Sequence, residues 1–297
     1  MKDFSYWEEY NGTSEGSGRS EKIWLQNPDT GQTGLFKFRK DSGTTDHISE
    51  CISYQLATLL EIPCAKFELG MFNGRVGSMS YNIVEKSSEI LIEGISLIYY
   101  KNSYYDPEKF IDTVTQRRYS IEMIVNSIKD FVSIKDFLNM LLFDYLIGNS
   151  DRHQSNWAII SDGMQMRWSP LYDNSSSLCA YVQEDQIDNY LGKDKKRWWA
   201  LVDTKSRSLI RRTVDEDKRP THLEVLGYLK ENYFEETSEL AKQIILLLTE
   251  EKISDILRYY IEPDLSNKKK ELITKFLLCK VDMMRKVYFG EEKYSDN

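Results

Sequence analysis

The sequence predicts an α+β protein in which a small antiparallel-β part precedes a larger, mainly helical one. Up to about residue 85 the apolar residues recur mostly with period two, interrupted by one helical stretch. From about residue 106 the recurrence turns largely helical. No internal repeat or long low-complexity tract breaks the 297 residues, enough for one large domain or two parts sharing a cleft.

Lys22-Ile-Trp-Leu-Gln26 and Gly34-Leu-Phe-Lys-Phe38 read as paired strands about the turn Asn27-Pro-Asp-Thr-Gly31. Thr44-Thr-Asp46 offers capping oxygens to a following helix, whose apolar stripe is Ile48, Ile52, Leu56, Leu59 and Leu60 and which Pro63 ends. Cys64–Phe72 and Val76–Val84 form a hairpin about Asn73-Gly74, because two successive left-handed residues match the strand twist. Asn82–Lys86 is the expected hinge, dividing one domain of residues 1–297 into lobes of residues 1–85 and 86–297. Beyond it, Ile134–Ile147 reads as a buried helix through Phe137, Leu138, Leu141, Leu142, Tyr145 and Leu146. Further helices are expected near 221–232, 236–248, 250–260 and 268–286.

Hydrophobic content of 41% and charged content of 29% are ordinary for a globular chain. No run approaches the roughly 20 apolar residues of a membrane span, and the start, MKDFSYWEEY, lacks a signal sequence's apolar core. A cytoplasmic protein is expected. The net charge of −8 gives no general attraction to nucleic acid, so no direct nucleic-acid partner is expected. Cys51, Cys64, Cys179 and Cys279 form no CxxC pair and read as free thiols. Lys193-Asp-Lys-Lys-Arg-Trp-Trp199 reads as a solvated basic loop with an aromatic anchor, with substrate docking as the alternative.

The chemistry concentrates in Gly148-Asn-Ser-Asp-Arg-His-Gln-Ser-Asn156, a loop between the buried helix and a strand, Trp157–Ile160. Asp162-Gly163 turns that strand back through Met164–Trp168 to Ser169-Pro-Leu-Tyr-Asp173. Asp151, Asn156 and Asp173 are thereby presented in succession. That set suits phosphoryl transfer: one carboxylate orients the acceptor hydroxyl, while an amide oxygen and a second carboxylate hold Mg²⁺ on nucleotide phosphates. Gly12–Ser20 is a glycine- and serine-rich loop whose amides at Gly16, Ser17, Gly18, Arg19 and Ser20 can wrap phosphates. Lys37 alternates with Phe36 and Phe38 and is expected in the cleft, with Arg39 and Lys40 as competitors; Glu50, early in the following helix, is placed to pair with it. His153 reads either as a base or metal ligand or, the favoured reading, as a support for its loop. The order of these parts is that of a two-lobed protein-kinase-like fold.

The pattern Gly148-Asn149-x-Asp151-x-His153-x-x-Asn156, with Pro170-x-Tyr172-Asp173 after it, resembles the catalytic and metal-binding segments of the HipA-like kinases. These are bacterial serine/threonine protein kinases, several of them toxins of toxin–antitoxin modules. The resemblance extends to Gly34–Lys40 and Glu50, hence over most of the first 180 residues; the C-terminal helices carry no matching motif. It implies Asp151 as catalytic carboxylate, Asn156 and Asp173 as Mg²⁺ ligands, Lys37 as the phosphate contact, and ATP as cofactor. It implies a protein substrate, an antitoxin-like partner, and autophosphorylation at Ser14, Ser17 or Ser20. The chain looks like the short, kinase-core-only type, and Gly16–Lys22 departs from the family's commoner Gly-Ala-Gln loop. Since the motifs do not specify the acceptor, a lipid or small-molecule kinase is the alternative, and a nucleotide-binding pseudokinase acting as an interaction module is another.

Overall fold

The period-two segments become a six-stranded sheet of β1 (Lys2–Asp3), β2 (Glu8–Glu9), β3 (Lys22–Gln26), β4 (Thr33–Phe38), β5 (Phe67–Phe72) and β6 (Arg75–Tyr81). The computed structural model describes residues 1–11, 21–41, 43–84 and 86–290. The spatial order is β1-β5-β6-β4-β3-β2, antiparallel throughout except for β1 against β5. Lys22 stands opposite Lys37 and Ile23 opposite Phe36, so alternation sends Ile23, Leu25 and Phe36 to one face and Lys37 to the other. The two-residue turn at Asn73 and Gly74 has φ of 48° and 78°, the left-handed pair that the β5–β6 register requires. Phe4 and Trp7, around the two shortest strands, join Leu25, Phe36, Phe72, Met79 and Tyr81 in a small core of their own.

The helix after β4 is α1 (Asp46–Leu59), and its stripe of Ile48, Ile52 and Leu56 belongs to the main core of the helical part. Its start differs from expectation. Thr45 occupies the N-cap but makes no side-chain cap bond, and its hydroxyl is buried without a partner. Thr44 Oγ1 instead donates to Asp46 Oδ1 at 2.7 Å, so the polar side chains satisfy one another rather than the helix amides.

The next strand, β7 (Ile90–Glu93), leaves the first sheet and pairs with β10 (Ala158–Ser161), which pairs in turn with β11 (Met166–Trp168). The chain therefore crosses between sheets after Tyr81 and before Ile90; the expected hinge lies there, with its Glu85 outside the described residues. Helix α2 (Gly94–Lys101) follows, then a short hairpin of β8 (Tyr105–Asp106) and β9 (Ile111–Asp112) where helix was expected. Next come α3 (Ile121–Ile128), α4 (Ile134–Ile147), α5 (Ile187–Leu191), α6 (Lys195–Trp199), α7 (His222–Asn232), α8 (Phe234–Leu247), α9 (Glu250–Leu257) and α10 (Asn267–Phe289). Helix α4 runs through the middle of this part, with all six residues of its predicted stripe buried. Lys195–Trp199 is helical, capped by Asp194, with Lys275 Nζ lying 4.4 Å from the Trp198 ring centroid. No helix among the described residues is long and apolar enough to cross a membrane.

Candidate active site

Helix α4 ends at Gly148, whose φ of 68° is left-handed and whose Cβ, if present, would stand 2.8 Å from the Phe276 ring. Glycine satisfies both constraints. The loop that starts there is tied by its own amides. Asn149 Nδ2 donates to Asp144 Oδ1 at 3.1 Å, while its Oδ1 accepts the Asp151 amide at 3.1 Å. The Asp151 carbonyl accepts from the His153 amide at 2.9 Å and from Asn156 Nδ2 at 2.8 Å. His153 Nδ1 accepts the Ser155 amide at 3.2 Å, a bond within the loop. The Asp151 carboxylate receives no hydrogen bond from any described residue and lines a cleft of about 740 Å³.

Lys37 reaches that cleft from the sheet. Its Nζ lies 3.0 Å from Glu50 Oε1 on α1 and 3.0 Å from Asp173 Oδ1 on the returning chain. Burial alone would lower the ammonium's pKa, but the two carboxylates outweigh it and raise it above its ordinary value. Asp173, with φ of 54°, is held well below the usual carboxylate range: burial opposes ionisation, and Lys37, Arg152 and His153 overcome it. Glu50 is fully buried, its other oxygen accepts the Asn174 amide at 2.8 Å, and burial pushes its pKa up despite Lys37. One buried carboxylate thus joins the sheet, α1 and the Asp173 segment. Of the competing cations, Arg39 Nε donates to the Asp41 carbonyl, while Lys40 lines the cleft without either of these carboxylate partners.

The residue that organises the site is one that sequence reasoning passed over. Arg152 is 1% exposed, and its guanidinium grips both Asp144 oxygens, at 2.9 and 2.7 Å. Nη1 also donates to the carbonyls of Asn156 at 2.8 Å and Tyr172 at 2.7 Å, and Nη2 donates to Asn174 Oδ1 at 2.7 Å. A single nitrogen therefore clasps the two segments that present Asn156 and Asp173. The planar fork of arginine serves these divergent acceptors where lysine's point charge could not. The available signal was Asp144, the acid set within the apolar run that follows Asn139 in α4, since a buried carboxylate demands a cation. Tyr119 supports the same loop, accepting from Trp157 Nε1 at 2.8 Å and donating to the Arg152 carbonyl at 3.1 Å.

The structure thus brings Lys37, Glu50, Asp151, His153 and Asp173 around one cleft, with Asn156 tied to the same loop and clasp. Gly16, Ser17, Gly18, Arg19 and Ser20, the phosphate-wrapping loop expected from sequence, lie outside the described residues, as does Ser14. The donor set fits magnesium. Asp173 uses Oδ1 for Lys37 and for Ser175 Oγ at 3.3 Å, while Asn156 spends its amide nitrogen on Asp151. No described donor takes Asp173 Oδ2 or Asn156 Oδ1, and two such hard oxygens are the few protein ligands Mg²⁺ asks for. No group of three or more His, Cys, Asp or Glu residues among those described is placed to hold a metal.

Comparison with known proteins bears on the fold and the family. A solved structure of a proinflammatory kinase, CtkA of Helicobacter pylori, superposes with a TM-score of 0.80 at 18% identity, covering 96% of this chain and 98% of that one. HipA of Shewanella oneidensis, solved with HipB and operator DNA, superposes with a TM-score of 0.57 at 14% identity, covering 97% of this chain and 67% of that one. At these identities the likeness establishes the fold, a two-lobed kinase-like one. No curated protein matches the sequence. The profile of the HipA-like C-terminal domain matches residues 14–219, most of the chain, and the protein belongs to that family.

Proposed function

We propose that the chain is an ATP- and Mg²⁺-dependent serine/threonine protein kinase, with lobes dividing near residue 85. The observation that carries the reading is Lys37 held between Glu50 and Asp173 in the cleft that the unbonded Asp151 carboxylate also lines. Lys37 meets the nucleotide's phosphate oxygens with a charge that both carboxylates maintain against burial. Asn156 and Asp173 would hold Mg²⁺, which would supply positive charge against the nucleotide phosphates. Asp151, with no competing hydrogen bond, accepts the proton of the acceptor hydroxyl. His153, through Ser155, keeps the loop's turn, and Arg152 keeps Asn156 and Asp173 in register.

Family membership supports two finer assignments. One is phosphorylation of the chain's own Ser14, Ser17 or Ser20, whose added negative charge would repel nucleotide phosphates. The other is a toxin role with an antitoxin-like partner, by analogy with the HipA solved with HipB. The test uses γ-labelled ATP, Mg²⁺ and a generic protein acceptor, with Asp151→Asn beside the native chain. Label on a serine or threonine that falls by at least about 10²-fold in the variant is expected. Undiminished transfer by the variant would remove Asp151 from its role, and phosphopeptide mapping that leaves residues 11–22 unlabelled would remove the autophosphorylation.

A further inference from the structure

Beside the cleft lies a group of cations that the proposed mechanism does not use. Arg219 Nη2 donates to the carbonyl of Ser150, the residue before Asp151, at 2.9 Å, and its Nε donates to the Ser208 carbonyl at 3.1 Å. Arg207 Nη1 donates to the Arg219 carbonyl, and Arg211 Nε to the Asp217 carbonyl at 3.3 Å. These bonds employ backbone oxygens, not carboxylates. Among the described residues Arg207, Arg211, Lys218 and Arg219 have no carboxylate within ion-pair distance, although the chain as a whole carries a net charge of −8. Three of the nearby acids are already engaged, while Asp203, which lines the same hollow as Arg207, Lys218 and Arg219, keeps a buried Oδ1 turned away from any ion pair. Asp217 pairs with Arg118 at 2.6 Å, Glu216 with Arg212, and Glu224 accepts the Thr221 amide to cap α7. The cations also crowd one another: burial, with Arg211 and Arg207, lowers the Arg219 pKa while Asp151 opposes the shift, and burial with Arg118 lowers that of Arg211 against the opposing charges of Glu216 and Asp217. Such mutual repulsion is relieved by an anionic partner.

The position gives the cluster its meaning. Asp151 lines the cleft, whereas the arginines lie outside it and reach Asp151 through Ser150 and Arg219. An acceptor hydroxyl approaching Asp151 from this side carries its neighbouring residues across Arg207, Arg211 and Lys218. We infer that this cationic shelf docks an acidic protein segment, so that the preferred acceptor is a serine or threonine flanked by aspartate or glutamate. The inference rests on the kinase reading for the acceptor's role, and its test separates the two.

Fluorescent peptides with one serine flanked by Asp/Glu, by Ala or by Lys are titrated into the full chain without nucleotide, then offered with Mg-ATP. The acidic peptide is expected to bind about tenfold more tightly than the alanine peptide, with an advantage that shrinks as salt rises, and to be phosphorylated with a correspondingly higher kcat/KM. In the Arg207→Glu/Arg211→Glu variant the preference should move to the lysine peptide, because the shelf's sign is reversed. If that variant does not fold, Lys218→Glu, on an exposed side chain with no hydrogen bond among the described residues, should reduce the preference in the same direction. Equal binding of the acidic and alanine peptides, or a preference unmoved by charge reversal, overturns the inference. So does a DNA duplex that displaces the acidic peptide and binds more tightly, which would make the shelf a nucleic-acid surface. Acidic-peptide binding without any phosphate transfer sinks the kinase reading and leaves the shelf standing, whereas transfer without acidic preference does the reverse.

Discussion

The cleft holds a half-buried lysine and the helical core a fully buried one, and the two are treated in opposite ways. Lys37 has two carboxylates at 3.0 Å and a pKa raised above its ordinary value. Lys280, on α10, is fully buried, its ammonium has no hydrogen-bond partner, and burial pulls its pKa down to about 8. The charge of Asp203 and the aromatic faces of Tyr145, 4.6 Å away, and Phe276, 5.3 Å away, compensate it only in part. Two polar neighbours are as poorly served: Asp203 Oδ1 and His222 Nε2 are buried without partners, and burial holds the His222 pKa well below its usual value. Depth alone does not explain the contrast, because Lys269 on the same helix is buried yet donates to the carbonyls of Cys179 and Val182 at 2.8 and 2.6 Å. At Lys37 the fold surrounds the charge with two matched acids. Where Lys280 sits, the fold tolerates a charge that its surroundings would rather see neutral.

Breaking a matched site should have the largest effect. Arg152→Met leaves Asp144 buried and unpaired and unclasps Asn156 from Tyr172. Urea unfolding should show a loss of about 3–5 kcal/mol, the range for removing one partner of a buried pair. Arg152→Lys should recover little, because three segments converge on a fork that lysine lacks. Lys37→Met tests the other matched cation. Its stability loss should be smaller, since Glu50, with its pKa already raised, can neutralise by taking up a proton. Its transfer rate should fall by about 10²–10³-fold, the scale for losing one preorganised charge contact. A Lys37→Met variant with native transfer would show that Lys40, also in the cleft, carries the phosphate contact instead.

The same contrast explains what could be read from the sequence. The grouping of Asp151, Asn156 and Asp173 was legible because one buried helix and the hairpin after it bound the segments that carry them. Lys37 and Glu50 were legible because period-two alternation and a helix start each aim a side chain. Arg152 was hidden because its partner Asp144 lies within an apolar helical run that reads as core, and burial of a charge is a tertiary fact. Strands β1, β2, β8 and β9 hold two residues each, too few for any period to register, and their pairing depends on distant segments. The basic run at Lys193–Trp199 drew attention by local density. The unpaired arginines beside Asp151 are spread over residues 207–219 and form a group only through folding.

The smallest expected effect sharpens the comparison most, because its sign is opposite. The Lys280 pKa is about 8 in the folded chain against 10.5 for an ordinary lysine. Below pH 8 both folded and unfolded chains carry the proton, and the folded state bears the full penalty of burying it. Between pH 8 and 10.5 the unfolded chain binds more protons than the folded one, so unfolding free energy rises with pH across that window. Lys280→Met removes the group and should stabilise the protein by at most about 3 kcal/mol at pH 7, the scale of a pKa lowered from 10.5 to about 8. That gain should shrink toward zero as pH approaches 10.5. Buried tyrosines such as Tyr145, whose pKa burial raises, pull total stability the other way at high pH. Because both chains contain them, the difference between wild type and variant, measured by urea unfolding at several pH values, isolates Lys280. A variant less stable than wild type at pH 7 would mean that Asp203 and the Tyr145 and Phe276 faces together compensate the ammonium fully. The helical core would then be as well matched as the cleft, by one carboxylate and two rings in place of two carboxylates.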